Sequence, residues 1–223
     1  NYAGKVNVEP RDAVLDGVTW AVTEKEQPGV RVDVEKTMEQ VLKALPGDRV
    51  KVVMQDVLPR ATSKGLKANI VEIGSYTTPL LDRQDPRVNN IAIASGKIDC
   101  KKLAPGEEFS FNKTVGRRTA AKGYEEAPII VKTEEGYKKG YATGGGICQI
   151  ATTLYNAALK GGMKITERHE HSKDVGYVAP RKDATVSYGS VDLKFKNSRQ
   201  YPVMIRTYLG KKTLTVKLYE NRN

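Results

Sequence analysis

Residues 143–155 read TGGGICQIATTLY. Three glycines run into one of the chain's two cysteines. Beyond them Ile147, Ala151, Leu154, Tyr155 and Ala158 recur at helical spacing, until Gly161-Gly162 ends the pattern. A helix starting at Cys148 would turn unpaired N–H groups and the positive end of its dipole toward the sulfur. That setting lowers a thiol pKa and favours the thiolate, the reactive form. The same N–H groups would hold an oxyanion on a carbonyl attacked by the sulfur, and the glycines leave the approach uncrowded. Two other uses of this pattern stand beside it. Free cysteine is among the most buried residue types and is often structural. Glycine before a helix also cradles phosphate, but the Gly-Lys-Ser/Thr signature of that loop is missing here.

A cysteine nucleophile needs a neighbouring base, which a third group orients. The chain has two histidines, both within 166–177, TERHEHSKDVGY. His169 and His171 stand at i and i+2, so on a strand both would face the helix start. Asp183 and Asp192 downstream are the candidates for the orienting group. The order Cys-helix, His-strand, Asp-strand recurs in several thiol hydrolase and transferase folds, which is an analogy. In the plainer reading one histidine satisfies a carbonyl and the other lies in solvent. A zinc site from both histidines and a cysteine is a further possibility, although it matches no standard spacing. Cys100 and Cys148 are 48 positions apart, and the surroundings of Cys148 argue for a use other than a bridge.

Around this segment the chain reads as α+β. Residues 13–22 and 49–58 are Val-rich strand candidates. Between them Asp33 caps a helix whose Val34, Met38, Val41, Leu42 and Leu45 share one face before Pro46-Gly47. This gives a small β-α-β N-terminal domain. A polar stretch with Pro59, Ser63 and Gly65 carries the boundary, dividing the chain into 1–66 and 67–223. Asp85-Pro86 opens a second helix, with Val88, Ile91, Ala92 and Ile98 at helical spacing. Residues 103–116 turn to strand chemistry, and Gly210-Lys211-Lys212 splits the C-terminal region into a hairpin. The expected second domain is α+β, with the cysteine at a helix N-terminus packed on antiparallel strands.

The 223 residues suffice for a core without a disulfide framework. No apolar run reaches the ~18 residues of a membrane span. The chain begins at Asn1 and is read as a fragment, with room for an upstream membrane anchor or signal outside it. Its 37 Lys+Arg against 26 Asp+Glu give +11, which favours polyanionic partners, although most of these lysines suit a solvated surface. Zinc-finger spacing, RNP-like strands and a basic reading helix are all missing, so nucleic acid is not the expected partner.

The blocks PGEEFSFNKTVGRRTAAKGY (105–124), GGGICQIATTLYNAAL (144–159), ERHEHS (167–172), DATVSYG (183–189) and DLKFKN (192–197) together resemble the VanW domain family. The likeness covers about residues 80–210, with the blocks in order. Residues 1–66 resemble the C-terminal part of the peptidoglycan-binding domain that often precedes VanW. The family takes its name from glycopeptide-resistance gene clusters, and some members act as L,D-transpeptidases that form 3-3 cross-links in peptidoglycan. The resemblance implies Cys148 as nucleophile and His171 as base, with His169 the second choice. Asp183 or Asp192 would orient the histidine, Cys100 is incidental, and the implied mechanism needs no metal or organic cofactor. Gly144, Gly145, Gly146, Gln149 and Tyr177 are the expected substrate contacts. Expected partners are peptidoglycan stem peptides and anionic wall polymers, on the outer face of a Gram-positive-type cell. A cysteine peptidase or carboxypeptidase on the same substrate, and a non-catalytic wall-binding accessory protein, are the alternatives.

Overall fold

The computed structural model describes residues 6–133 and 136–223. The chain forms two compact units, Asn1–Asn69 with Asn223, and Ile70–Arg222. The fold is α+β, with antiparallel strands throughout.

In the first unit, β1 (Val14–Leu15) and β2 (Val22–Glu24) form a short hairpin. Residues 13–22 are therefore not one strand. Asp16 Oδ1 accepts from Thr19 N and Thr19 Oγ1 and bends the chain. Next, β3 (Gly29–Val32) pairs with β4 (Met54–Val57), and helix α1 (Val34–Lys43) lies between them in sequence. Asp33 caps α1 by accepting from Lys36 N. The expected apolar face of α1 is exposed: Leu42 and Leu45 are 79% and 73% accessible. Thr37 Oγ1 accepts from Val53 N and ties α1 to the segment before β4. Ala13 is the only buried apolar side chain among the described residues of this unit. The polar stretch at the expected boundary holds a short helix, α2 (Ser63–Ala68), capped by Thr62.

The second unit carries the main core. A four-stranded sheet runs in the order β5 (Ile70–Pro79), β13 (Thr213–Asn221), β12 (Val203–Leu209), β6 (Lys102–Leu103). Along β13, Leu214, Val216 and Leu218 point inward at the two-residue period of a half-buried strand. Helices α3 (Asp85–Ile98) and α5 (Ile147–Lys160) pack on this sheet and on each other. Contact between α5 and β5 is so close that a Cβ on Gly74 would stand 2.4 Å from the Ala157 carbonyl oxygen.

A second sheet, β10 (Lys164–Glu167), β11 (Lys194–Lys196), β7 (Glu108–Ser110), stacks Phe109 on Phe195 with ring centres 4.9 Å apart. Short helix α4 (Phe111–Val115) follows β7. Hairpin β8 (Glu126–Thr133) and β9 (Gly136–Thr143) leads straight into the triple glycine. None of the helices among the described residues is long and apolar enough to cross a membrane.

Candidate active site

Helix α5 begins at Ile147, one residue before the cysteine, with Gly146 as its N-cap. Gly144 and Gly146 have φ of +89° and +102°, which side chains other than glycine's rarely allow. Gly145 is needed for closeness instead, since a Cβ there would fall 2.5 Å from the Ala127 carbonyl oxygen. Among the described residues, the N–H groups of Gly146 and Cys148 reach no acceptor, while those of Gly144, Gly145, Ile147 and Gln149 are engaged. Cys148 therefore sits at the first turn with its own N–H free.

Helix α3 clamps this elbow with polar side chains on its buried face. Asn90 Nδ2 donates to the carbonyls of Gly145 and Glu125, and Asn90 Oδ1 accepts from Glu125 N. Arg87 Nη2 donates to Gln149 Oε1 at 2.6 Å. The Gln149 amide donates to Thr78 Oγ1 and the Pro79 carbonyl. At 1% exposure, with both ends of its amide bound, Gln149, expected from sequence to touch substrate, anchors the helix start. Gln149→Ala is expected to cost about 2–4 kcal/mol, because Arg87 and the Pro79 carbonyl lose buried partners. A lowered urea midpoint at unchanged slope would show it.

Behind the cysteine, Thr152 Oγ1 accepts from Ala184 N and donates to the Ala184 carbonyl. Asn156 Nδ2 donates to the Lys182 carbonyl. Together they dock residues 182–186 along α5 and deliver Asp183. Asp183 Oδ2 accepts from both His171 N and His171 Nδ1, each at 2.6 Å. With Nδ1 taken, Nε2 is the ring nitrogen left for the Cys148 sulfur, and the two groups act on each other's charge. Cys148 Sγ also lies 3.5 Å from Thr185 Oγ1 and 3.6 Å from the Val186 carbonyl oxygen.

The electrostatics follow from these contacts. Burial raises the Cys148 thiol, but the hydrogen bond and charge of His171, with Thr185 and the Val186 main chain, bring it below its ordinary value. Burial lowers His171, yet Cys148 and then Asp183 carry it above its ordinary value. For Asp183, burial is outweighed by the His171 N–H, and its carboxyl is held low. Each shift favours a thiolate–imidazolium pair steadied by a carboxylate. Burial also raises the Tyr177 hydroxyl, and the charge of Cys148 acts the same way, so Tyr177 stands at the site as a neutral phenol.

The other candidates lie apart. His169 pairs its main chain with Thr185 but directs Nε2 to Glu167 Oε1, with its side chain 43% exposed against 16% for His171. Equal facing at i and i+2 fails because only one bridge, His169–Thr185, joins these segments before the chain bends to Asp183. Asp192 accepts from Ser110 Oγ, Asn112 N and Leu193 N, which fastens the β7–α4 junction and leaves it off the histidine. Both cysteines are free, and among the described residues no group of three or more His, Cys, Asp or Glu could hold a metal ion. Arg87 and Asn90 escape a reading by apolar period. Their signal is polar side chains three apart on the stripe that also carries Ile91, Ala94 and Ile98.

A family described as "VanW like protein" matches residues 86–219. A second, described as "Putative peptidoglycan binding domain", matches residues 1–53. YoaR of Bacillus subtilis (strain 168), described as an uncharacterized protein, is 36% identical over 222 residues, which cover 97% of this chain and 71% of YoaR. The vancomycin B-type resistance protein VanW of Enterococcus faecalis (strain ATCC 700802 / V583) is 28% identical over 123 residues, 51% of this chain and 42% of that protein. No solved structure matches. The two family matches point to a role at the cell wall, with peptidoglycan as a partner. Residues 86–219 contain the elbow, its α3 clamp, both histidines and both aspartates, and the chain belongs to the VanW-like family.

Proposed function

We propose that this chain is a peptidoglycan L,D-transpeptidase working through a Cys148 acyl-thioester. The observation that carries the proposal is the free Cys148, one residue inside α5, coupled in charge to a histidine whose Nδ1 is held by Asp183. Cys148 thiolate attacks the carbonyl of the third residue of a tetrapeptide stem. The C–S bond forms, the amide C–N bond breaks, and the imidazolium of His171 gives its proton to the leaving D-alanine amine. The free N–H of Cys148 faces the oxyanion, and Tyr177 lines the approach. A second stem's side-chain amine then attacks the thioester and passes its proton to His171. The new C–N bond closes the 3-3 link and returns the thiolate.

Residues 1–66 serve as the peptidoglycan-binding part and 67–223 as the catalytic part. The net charge of +11 suits an extracellular protein held on an anionic wall. A non-catalytic accessory role is disfavoured by a thiol matched to an oriented histidine, an arrangement that packing alone does not require. The test is mass analysis of muropeptides incubated with the protein and with Cys148→Ala. Cysteine-dependent 3-3 dimers with loss of D-alanine are expected. Trimmed monomers alone would replace the reading with a carboxypeptidase, and no cysteine-dependent change would sink both.

A further inference from the structure

Arg118 follows α4 and lies directly under the glycine elbow. A Cβ on Gly144 would stand 3.0 Å from Arg118 Cβ and 3.1 Å from its Cγ, so the elbow rests on the arginine stem. Arg118 Nη1 donates to Asn112 Oδ1 at 2.7 Å. Asn112 is itself fixed by Nδ2 bonds to the carbonyls of Ser187 and Val191. Ser187 is the neighbour of Val186, whose carbonyl touches the Cys148 sulfur. The guanidinium lies over the Phe111 ring, 5.5 Å from its centre. Its Nη2 is buried and has no hydrogen-bond partner.

A half-buried guanidinium with one buried, unpartnered nitrogen and no carboxylate partner requires an explanation, because arginine keeps its charge in proteins. The groups whose charge acts on it are Tyr124, Cys148, Asp192 and Tyr188. Tyr124 is a buried phenol pushed up by desolvation, and its hydroxyl too lacks a partner. Asp192 is committed to Ser110, Asn112 and Leu193. Tyr188 lies under Arg117 at the surface. On the cysteine's side stand His171 with Asp183 behind it, Tyr177, and Arg87, which is bound to Gln149. The anion this set can form beside Arg118 without breaking an existing contact is the Cys148 thiolate.

We propose that Arg118 is a positioning residue for the nucleophile, its half-buried guanidinium acting with His171 to hold Cys148 as an anion beneath the glycine elbow. The proposal rests on Cys148 as nucleophile, and it adds a second, permanent cation to the pair. His171 loses its charge when it protonates the leaving amine. Arg118 does not, so the thiolate released in the second half-reaction returns to a positive site.

The test is the pH dependence of Cys148 alkylation by iodoacetamide, in a Cys100→Ser background that leaves one thiol. Arg118→Gln retains a donor for Asn112, Arg118→Met retains the stem, and Arg118→Lys retains the charge. Circular dichroism checks the folding of each, and having two neutral variants keeps one unfolded protein from deciding the matter. The midpoint is expected about one pH unit higher in the neutral variants, with Arg118→Lys closer to the parent than to either. A folded neutral variant that titrates with the parent, or a lysine variant displaced as far as glutamine, overturns the proposal. No peptidoglycan enters this assay, so it stands whether an amine or water takes the acyl group. A parent thiol that never reacts would instead remove the nucleophile reading.

Discussion

Replacing His171 with alanine is expected to lower cysteine-dependent turnover by about 10²–10⁴-fold. In the proposed mechanism the imidazole does three things at this site. It supplies the hydrogen bond and charge that hold the Cys148 thiol below its ordinary value, it protonates the leaving amine, and it deprotonates the incoming one. In the parent, activity is bounded on the acid side by loss of the thiolate and on the alkaline side by loss of the imidazolium proton. The first edge lies below the ordinary thiol range and the second above the ordinary histidine value. In His171→Ala the burial of the sulfur is no longer opposed by the imidazole, so the acid edge of the remaining thiol reactivity moves up.

The same contacts make stability depend on pH. His171, raised in the fold, contributes stability that is fully present below its unfolded value and is lost as pH rises through the folded one. Asp183, lowered in the fold, contributes stability present above its unfolded value and lost as pH falls through the folded one. Chemical unfolding across pH, compared with Asp183→Asn, reads both limbs.

Gly145→Ala is expected to destabilise the protein by about 3 kcal/mol or more and to cost activity beyond that loss. The new methyl would lie 2.5 and 2.7 Å from the Ala127 carbonyl oxygen and carbon and 2.9 Å from the Pro128 oxygen. These are main-chain atoms of β8, so no side chain can rotate away. Either β8 or the elbow must move, and Asn90, bound to the carbonyls of Gly145 and Glu125, resists both. A displacement near 1 Å at Cys148 is worth about 10² in rate. Gly96→Ala is the control. Nothing lies within 4 Å of a Cβ there, and within α3 alanine is expected to stabilise by about 0.4–1 kcal/mol. Thermal unfolding of the two variants should therefore move in opposite directions.

Helices α3 and α5 and the β12–β13 hairpin are legible because each writes its period and its stop signal in adjacent residues. Gly161-Gly162 and Gly210-Lys211-Lys212 are such stops. The first unit is less so. The period of Val34, Met38, Val41, Leu42 and Leu45 reveals a helix but not whether anything covers its apolar face. Residues 13–22 look continuous because Asp16 breaks them through side-chain hydrogen bonds that no periodicity shows.

At the site, the helix-start cysteine, the histidines and the glycines are local signals. The clamp is not. Arg87 reaches Gln149 and Asn90 reaches Gly145 across 62 and 55 residues, and polar side chains on a buried stripe make sense only once those partners are known. Asp183 and Asp192 were interchangeable in sequence for the same reason. Pairing of 183–185 with 169–171 separates them.

The most direct measurement is the intact mass of the protein mixed with a tetrapeptide donor and no acceptor. The account predicts an adduct equal to the donor less D-alanine, mapped to Cys148, absent in Cys148→Ala and discharged when an amine acceptor is added. Turnover of the donor by a folded Cys148→Ala protein, or an adduct on any other residue, would contradict it.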